Sequence, residues 1–377
     1  MIYSIQAPGA YLQGEDVLDQ LGVRASAWGT RFLVVCSPNN QKRIGKRLED
    51  SLTSVPDLPN GQAVFFDFQG ECSWAEVNRA AAACREAGCD GIIGAGGGKA
   101  IDTAKTAAKT LGGLPVIIVP TVASNDAPCS GIADLYYEDG TLAETISIGR
   151  NPNLVLVDTG IIARAPARLL ASGIGDALAT YYEARATWRS GADTLAGGRC
   201  SNTALMMSRL CYDILLRDGL AALRAVEAQS VNQALEHVVE ATIYLSGVGF
   251  ESGGLAAAHP ICDGLTLLPA VRGMYHGEKV AFGTLTQLVL ERAGAGELCT
   301  VLSFLSKVKL PMCFADLGLL HPTQEELRKV VQEVCAPYQF TKNLSPDITP
   351  DDVYAALLQA DALGRQFQQH GCLPAEL

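Results

Sequence analysis

The sequence predicts an α/β domain built on a mostly parallel sheet with helices on both faces, followed by an all-α domain, in a chain of 377 residues. Three observations carry this prediction. Short apolar runs alternate with helical patterns through residues 1–160, as strand–helix–strand units do. A glycine-rich turn, Gly94-Ala95-Gly96-Gly97-Gly98-Lys99, joins one of those runs to a helix. After Pro166 the chain changes to long Ala/Leu-rich segments with few β-branched runs.

Five strands are expected in the first part, at Arg31–Cys36, Ala63–Phe68, Gly91–Ile93, Leu114–Val119 and Leu154–Val157. Each is a short apolar run, the form taken by a strand buried on both faces. Helical periodicity fills Lys42–Leu52, Trp74–Ala87 and Ala100–Leu111 between them. In the second part the helical segments are Arg168–Trp188, Thr203–Leu216, Val231–Gly249, Glu278–Ala293, Glu325–Val334 and Pro350–Gly364. The boundary falls within 158–167, which gives domains at 1–163 and 164–377. No internal repeat or low-complexity linker interrupts them.

The glycine turn predicts a phosphate cradle. Glycines at a strand-to-helix junction let a ligand approach the backbone, and the helix offers free N–H groups and its positive dipole end. Two familiar templates fail on spacing. A P-loop needs glycine at 93 and Ser or Thr at 100, where Ile93 and Ala100 stand; the G-x-G-x-x-G fingerprint meets Lys99 in its third glycine slot. The alternative is a glycine-rich turn with no ligand, which three freely rotating residues would destabilise.

Composition narrows the function further. Apolar residues make up 48% and charged residues 18%, which suits an enzyme with much buried surface. A net charge of −11 disfavours a nucleic-acid partner, because that binding rests on phosphate neutralisation. The N-terminus shows no basic region followed by an apolar core, and no apolar run approaches the length of a membrane span. Twelve cysteines lie scattered from Cys36 to Cys372 without a C-x-x-C pair, as reduced core thiols of a cytoplasmic protein would.

Five histidines occur, and two lie in unusual settings. His259 follows Gly253-Gly254-Leu255-Ala256-Ala257-Ala258, and His276 stands just before a strongly apolar helix. Asp176 lies beside the apolar face formed by Leu170, Ile174, Ala177, Leu178 and Tyr181. A carboxylate at a buried margin needs a partner, and a cation is one. Two imidazoles and one carboxylate leave an open position, as catalytic zinc sites do. By spacing alone, hydrogen-bonded core histidines are the more common explanation of such residues.

At GGGKAIDTAK (96–105), PTVASNDAPCS (120–130), NPNLVLVDT (151–159), RLLASGIGDALATYYEA (168–184), GFESGGLAAAHPICDGLT (249–266) and YHGEKVAFGTLTQLVL (275–290), the sequence resembles the glycerol dehydrogenase family. That family sits within the group III, iron- or zinc-dependent alcohol dehydrogenases, a group that also resembles dehydroquinate synthase. The resemblance covers nearly the whole chain. It implies a Rossmann-like N-terminal domain, a helical C-terminal domain and oxidation of a small vicinal diol by NAD at a divalent metal. Carried over by position, it implies Asp176, His259 and His276 as metal ligands, and Gly97, Gly98 and Lys99 as the pyrophosphate loop. Ser37, Thr121, Ser124, Ser130, Ile132 and Tyr136 are implied to line the cofactor. Asp126 is implied near the polyol and the nicotinamide, although a turn-forming Asp before Ala-Pro would look the same. A homo-oligomer, an octamer by resemblance, is implied as well.

Three departures refine the expectation. Iron-type members carry a further His four residues after the Asp; Thr180 stands there, which points to Zn2+ rather than Fe2+. An acidic residue usual at the end of the first strand is Ser37, with Lys42 and Arg43 close by, so NADP tolerance is expected. A histidine usual three residues after His259 is Cys262, a poorer proton carrier at neutral pH. Competing expectations are a same-fold dehydrogenase of 2-hydroxycarboxylates or other small alcohols and a dehydroquinate synthase-like lyase. Asp126 opposes an anionic substrate, and the His259 and His276 segments offer only Arg272 and Lys279 to hold a phosphate and a carboxylate.

Overall fold

The protein is described by a computed structural model over residues 1–55, 62–137 and 140–372. Eight strands are numbered in chain order: β1 (Tyr11–Gly14), β2 (Arg31–Cys36), β3 (Gln62–Asp67), β4 (Gly91–Gly96), β5 (Val116–Pro120), β6 (Ile132–Tyr136), β7 (Leu142–Ser147) and β8 (Leu154–Asp158). Six form one sheet in the order β1-β8-β5-β4-β2-β3, and every pairing in it is parallel. Strands β6 and β7 make a separate antiparallel hairpin. The predicted parallel sheet is present.

Strand β1 escapes the pattern because it is a half-buried edge strand ending in Gln13 and Gly14, with no continuous apolar run. Strand β4 runs three residues beyond its predicted end. Gly94, Ala95 and Gly96 have poor strand propensity, but the ladder to Ile118, Val119 and Pro120 of β5 holds them extended. Side chains Phe32, Val34, Ile93, Ile117, Val119, Leu154 and Leu156 of the sheet pack with Leu18, Leu21, Leu48 and Leu52 into one core.

The chain divides into two compact units that do not follow a single cut. One comprises Gln6–Pro166 together with Arg224–Gly247; the other comprises Met1–Ile5, Ala167–Leu223 and Val248–Leu377. The division expected at 163/164 therefore needs correcting, since the chain returns to the first unit after leaving it. The returning segment is tied in by polar contacts: Glu236 accepts from Gln13 Nε2 at 2.7 Å and from Thr159 Oγ1 at 2.7 Å.

In the second unit, Ala167–Ser190, Ala258–Thr266, His276–Leu290, Ala295–Lys307, Gln324–Val334 and Pro350–His370 are helices. Two of these were not expected. Ala258–Thr266 carries Pro260 and Gly264, which read as a loop, but proline is tolerated in a first helical turn where its missing N–H is not required. Among the described residues, no helix is long and apolar enough to cross a membrane. The cysteines are free thiols, most of them buried.

Candidate metal centre

The helix Ala167–Ser190 buries Leu170, Ile174, Ala177 and Leu178, and Asp176 sits beside that face with only 1% of its side chain exposed. The small residues around it set how closely another helix can come. A Cβ on Gly277 would lie 1.8 Å from the Ser172 carbonyl oxygen, and one on Gly175 would lie 2.4 Å from that of Gly277. Gly277 N also donates to Ser172 Oγ at 3.2 Å. The helix His276–Leu290 is thereby drawn against the Asp176 helix, with His276 at its first position.

His259 arrives from a different element, as the second residue of Ala258–Thr266. No side chain of its own N-cap residue, Ala257, satisfies the first-turn amides. Two neighbouring helices do so instead. Glu183 Oε1 accepts from Ala256 N at 3.0 Å and His259 N at 3.1 Å, while Gln287 Oε1 accepts from Ala257 N at 2.9 Å and Ala258 N at 3.0 Å. Four consecutive amides are thus satisfied, and the backbone carrying His259 is fixed. Behind it, Ala179, Ala258, Cys262 and Val280 form a small apolar cluster.

These elements bring three ligand atoms, one each from Asp176, His259 and His276, within 4.8 Å of one another. Asp176 Oδ1 lies 3.5 Å from His259 Nε2 and 3.2 Å from His276 Nε2. The imidazole rings are 5.5 Å apart and tilted by 41°. His259 is 14% exposed and His276 35%, so the cluster is open on the imidazole side. A carboxylate and two imidazoles with one open side fit a catalytic divalent-metal centre. Cys262 Sγ lies 3.7 Å from His276 Nδ1, on the far side of that ring from Asp176.

The electrostatics agree with a cation seat. Burial pushes the Asp176 carboxyl up, but His276 and His259 outweigh it and hold the group well below the usual carboxylate range. Burial opposes charge on the two imidazoles, yet facing groups (Glu183 and Asp176 at His259, Cys262 and Asp176 at His276) hold both pKa values well above normal. Without metal these rings therefore keep protons that stabilise the fold in acid, and that stabilisation is lost as pH rises through the raised pKa values. A metal ion must expel the same protons. Zinc affinity, measured by chelator competition, is expected to be more than about tenfold weaker at about pH 6 than at about pH 8. An unchanged affinity across that range would contradict the assignment of both rings.

The residues expected to hold a dinucleotide lie in the other unit. Gly97 is the N-cap of the helix Gly98–Thr110 and supplies no side-chain cap, so that end of the helix is available to an anion. None of Gly96, Gly97 and Gly98 has a positive φ, so they serve close approach and not an unusual backbone. A Cβ on Gly98 would lie 2.5 Å from Asn125 Nδ2, and one on Gly96 2.8 Å from the Ala100 Cβ. Lys99 Nζ bonds Glu71 at 2.6 Å and lies 5.5 Å from the Tyr136 ring centroid.

Ser37 caps the turn after β2 by accepting from Asn40 N at 3.3 Å, and Asn40 Nδ2 donates to Thr121 Oγ1 at 3.2 Å. Thr121 N in turn bonds Gly96 O, so Ser37, Asn40, Thr121 and the glycine turn gather at the C-terminal edge of β2, β4 and β5. Ser130 is buried with its hydroxyl beside the Ala127 and Ile132 carbonyls and 3.5 Å from Lys105 Nζ. Ser124 and Ile132 are half-buried in the same stretch. Asp126 is buried and accepts from Ser246 Oγ at 2.7 Å.

Sequence reasoning passed over two groups. Glu183 is fully buried and its Oε2 lies 2.6 Å from His259 Nδ1. Its signal was legible: seven residues separate it from Asp176, nearly two helical turns, which puts both on one face. Lys105 and Asp102 form a buried ion pair at 2.8 Å. Lys105 also donates to the carbonyls of Ala127, Ser130 and Ile132, holding the segment that follows Asp126. Their spacing of three on a helix was a visible clue as well.

Comparison with known proteins adds the following. The family profile of the iron-containing alcohol dehydrogenases matches residues 8–159. A glycerol dehydrogenase of Escherichia coli O6:H1 is 47% identical over 369 residues, covering 97% of this chain and 98% of its own. The crystal structure of glycerol dehydrogenase from Schizosaccharomyces pombe superposes with a TM-score of 0.93 at 35% identity, over 99% of this chain and 94% of that one. That of a probable glycerol dehydrogenase from Sinorhizobium meliloti gives 0.91 at 38%, over 97% and 100%.

Proposed function

We propose that this chain, which belongs to the glycerol dehydrogenase family within the iron-containing alcohol dehydrogenases, oxidises glycerol at a divalent ion held by Asp176, His259 and His276. It is a metal-dependent alcohol dehydrogenase. The observation that carries the site assignment is the convergence of those three ligand atoms within 4.8 Å from three separate helices. Zinc is the ion the donor set favours, with Thr180 offering no further imidazole.

A bound divalent ion supplies Lewis acidity, lowering the pKa of an alcohol and polarising a carbonyl in the reverse direction. The chain does the rest. Asp176, held in its ionised form, and the Nε2 atoms of His259 and His276 would hold that ion. Gly97, Gly98 and Lys99 receive the pyrophosphate of the dinucleotide at the helix N-terminus. Asp126, buried in the first unit with its carboxylate steadied by Ser246, is the residue we assign to a polyol's free hydroxyls and to proton acceptance through water. A bound nicotinamide would supply a hydride acceptor, so that the secondary alcohol could be oxidised to a ketone with release of its hydroxyl proton. Glycerol would give dihydroxyacetone. A small neutral polyol suits the site, because Asp126 repels a substrate carboxylate.

Metal analysis of the purified protein, paired with glycerol-dependent reduction of NAD, tests this reading. Protein that turns over fully without metal, or holds metal and ignores polyols, would overturn it. Cofactor choice gives a second test. Ser37 uses its hydroxyl to cap the turn after β2 and brings no negative charge, and Lys42 and Arg43, five and six residues further on, are exposed. NADP is expected to serve with kcat/KM within about a thousandfold of that for NAD, and a steeper preference would refute this. A homo-oligomer in the cytoplasm is the setting we assign to the enzyme, in keeping with its apolar composition and free thiols.

A further inference from the structure

We infer that Glu183 is the positioning residue for His259: its carboxylate accepts a hydrogen bond from Nδ1–H and so turns the Nε2 lone pair toward the metal. The inference rests on the metal centre proposed above and concerns a residue outside the ligand set.

Glu183 and Asp176 share one face of the helix Ala167–Ser190, and the His259 imidazole spans the distance between them. Its Nε2 faces Asp176 Oδ1 at 3.5 Å, while its Nδ1 faces Glu183 Oε2 at 2.6 Å. An imidazole that donates from Nδ1 has its lone pair on Nε2, the atom a metal needs. The other oxygen of Glu183 is committed as well, to Ala256 N and His259 N. One carboxylate thus holds both the backbone that carries His259 and the orientation of its ring. Glu183 itself is fully buried, and among the described residues its carboxylate faces these three N–H groups.

Three donors on two oxygens make the site intolerant of an amide. Gln has one acceptor oxygen and one NH2 group. If its NH2 faces Nδ1, that nitrogen must become the acceptor and the ring proton moves to Nε2, blocking the ligand lone pair. If its NH2 instead faces Ala256 N and His259 N, donor meets donor and the helix start is pushed away. Either arrangement weakens metal binding.

The test uses the full chain, stripped of metal and titrated with Zn2+ against a chelator, with and without Glu183→Gln. We expect the zinc dissociation constant of E183Q to rise about 10–100-fold while the metal-free protein remains folded. An affinity equal to that of the unsubstituted protein overturns the role of Glu183 and leaves the metal centre standing. If the unsubstituted protein itself takes up no zinc, the metal centre falls and this inference with it. Should E183Q not fold, nitrogen NMR of the zinc-loaded, histidine-labelled wild type decides the question. A zinc-bound Nε2 with a protonated Nδ1 on His259 supports the inference, and a zinc-bound Nδ1 refutes it.

Discussion

Replacing His259 with Ala is expected to remove bound metal and glycerol oxidation together. The loss in kcat/KM should exceed about a thousandfold, because Lewis-acid stabilisation supplies several kcal/mol and about 4 kcal/mol corresponds to that factor. Metal content is measured by elemental analysis after gel filtration, and activity by nicotinamide absorbance with glycerol as substrate. The substitution also leaves Asp176 and Glu183 facing a void, and breaking a buried charged contact costs about 3–5 kcal/mol. His276→Ala separates the two effects. Its ring is 35% exposed, so less packing is lost, while a ligand is still removed. A folded H276A protein that retained metal and turnover would rule out the proposed centre.

The largest effect on stability is expected at Lys105→Met. Lys105 and Asp102 are almost completely buried 2.8 Å apart, so removing the lysine strands a carboxylate in the protein interior. Such a change costs about 3–5 kcal/mol, and here the carbonyls of Ala127, Ser130 and Ile132 lose their donor too. The defect should depend on pH in a defined direction. Burial pushes the Asp102 carboxyl up to about 6 even against the opposing pull of Lys105. A raised folded pKa means that protonation favours the native state, so this contribution is complete in acid and lost as pH rises through about 6. Without Lys105 the carboxyl escapes its penalty by taking a proton. Urea unfolding of K105M should therefore show a much smaller deficit at about pH 5 than at about pH 8. A deficit of the same size at both values would refute this account.

The parallel sheet was readable because β2, β4, β5 and β8 are nearly uninterrupted apolar runs, which is what burial on both faces demands. Edge strand β1 and the β6–β7 hairpin were not, since half-exposed strands carry mixed residues. Pattern reading also assumes that a unit is continuous in sequence. The return of Arg224–Gly247 to the first unit depends on contacts such as Glu236 with Gln13, which no local periodicity encodes. At the candidate site, residue type left Asp176, His259 and His276 open to core hydrogen bonding, and the family resemblance implied them as ligands; their convergence depends on Gly277 and Gly175 removing the bulk that would keep two helices apart. Glu183 was passed over for a related reason. Its spacing from Asp176 put it on the buried face, but the amides it accepts from lie about seventy residues further along the chain.

Glu183 and Gln287 hold the four amides at residues 256–259 from two separate helices, so the main chain that carries His259 is anchored from outside its own helix. A helix start fixed in this way resists fraying, although its own N-cap residue offers no side chain to the first turn.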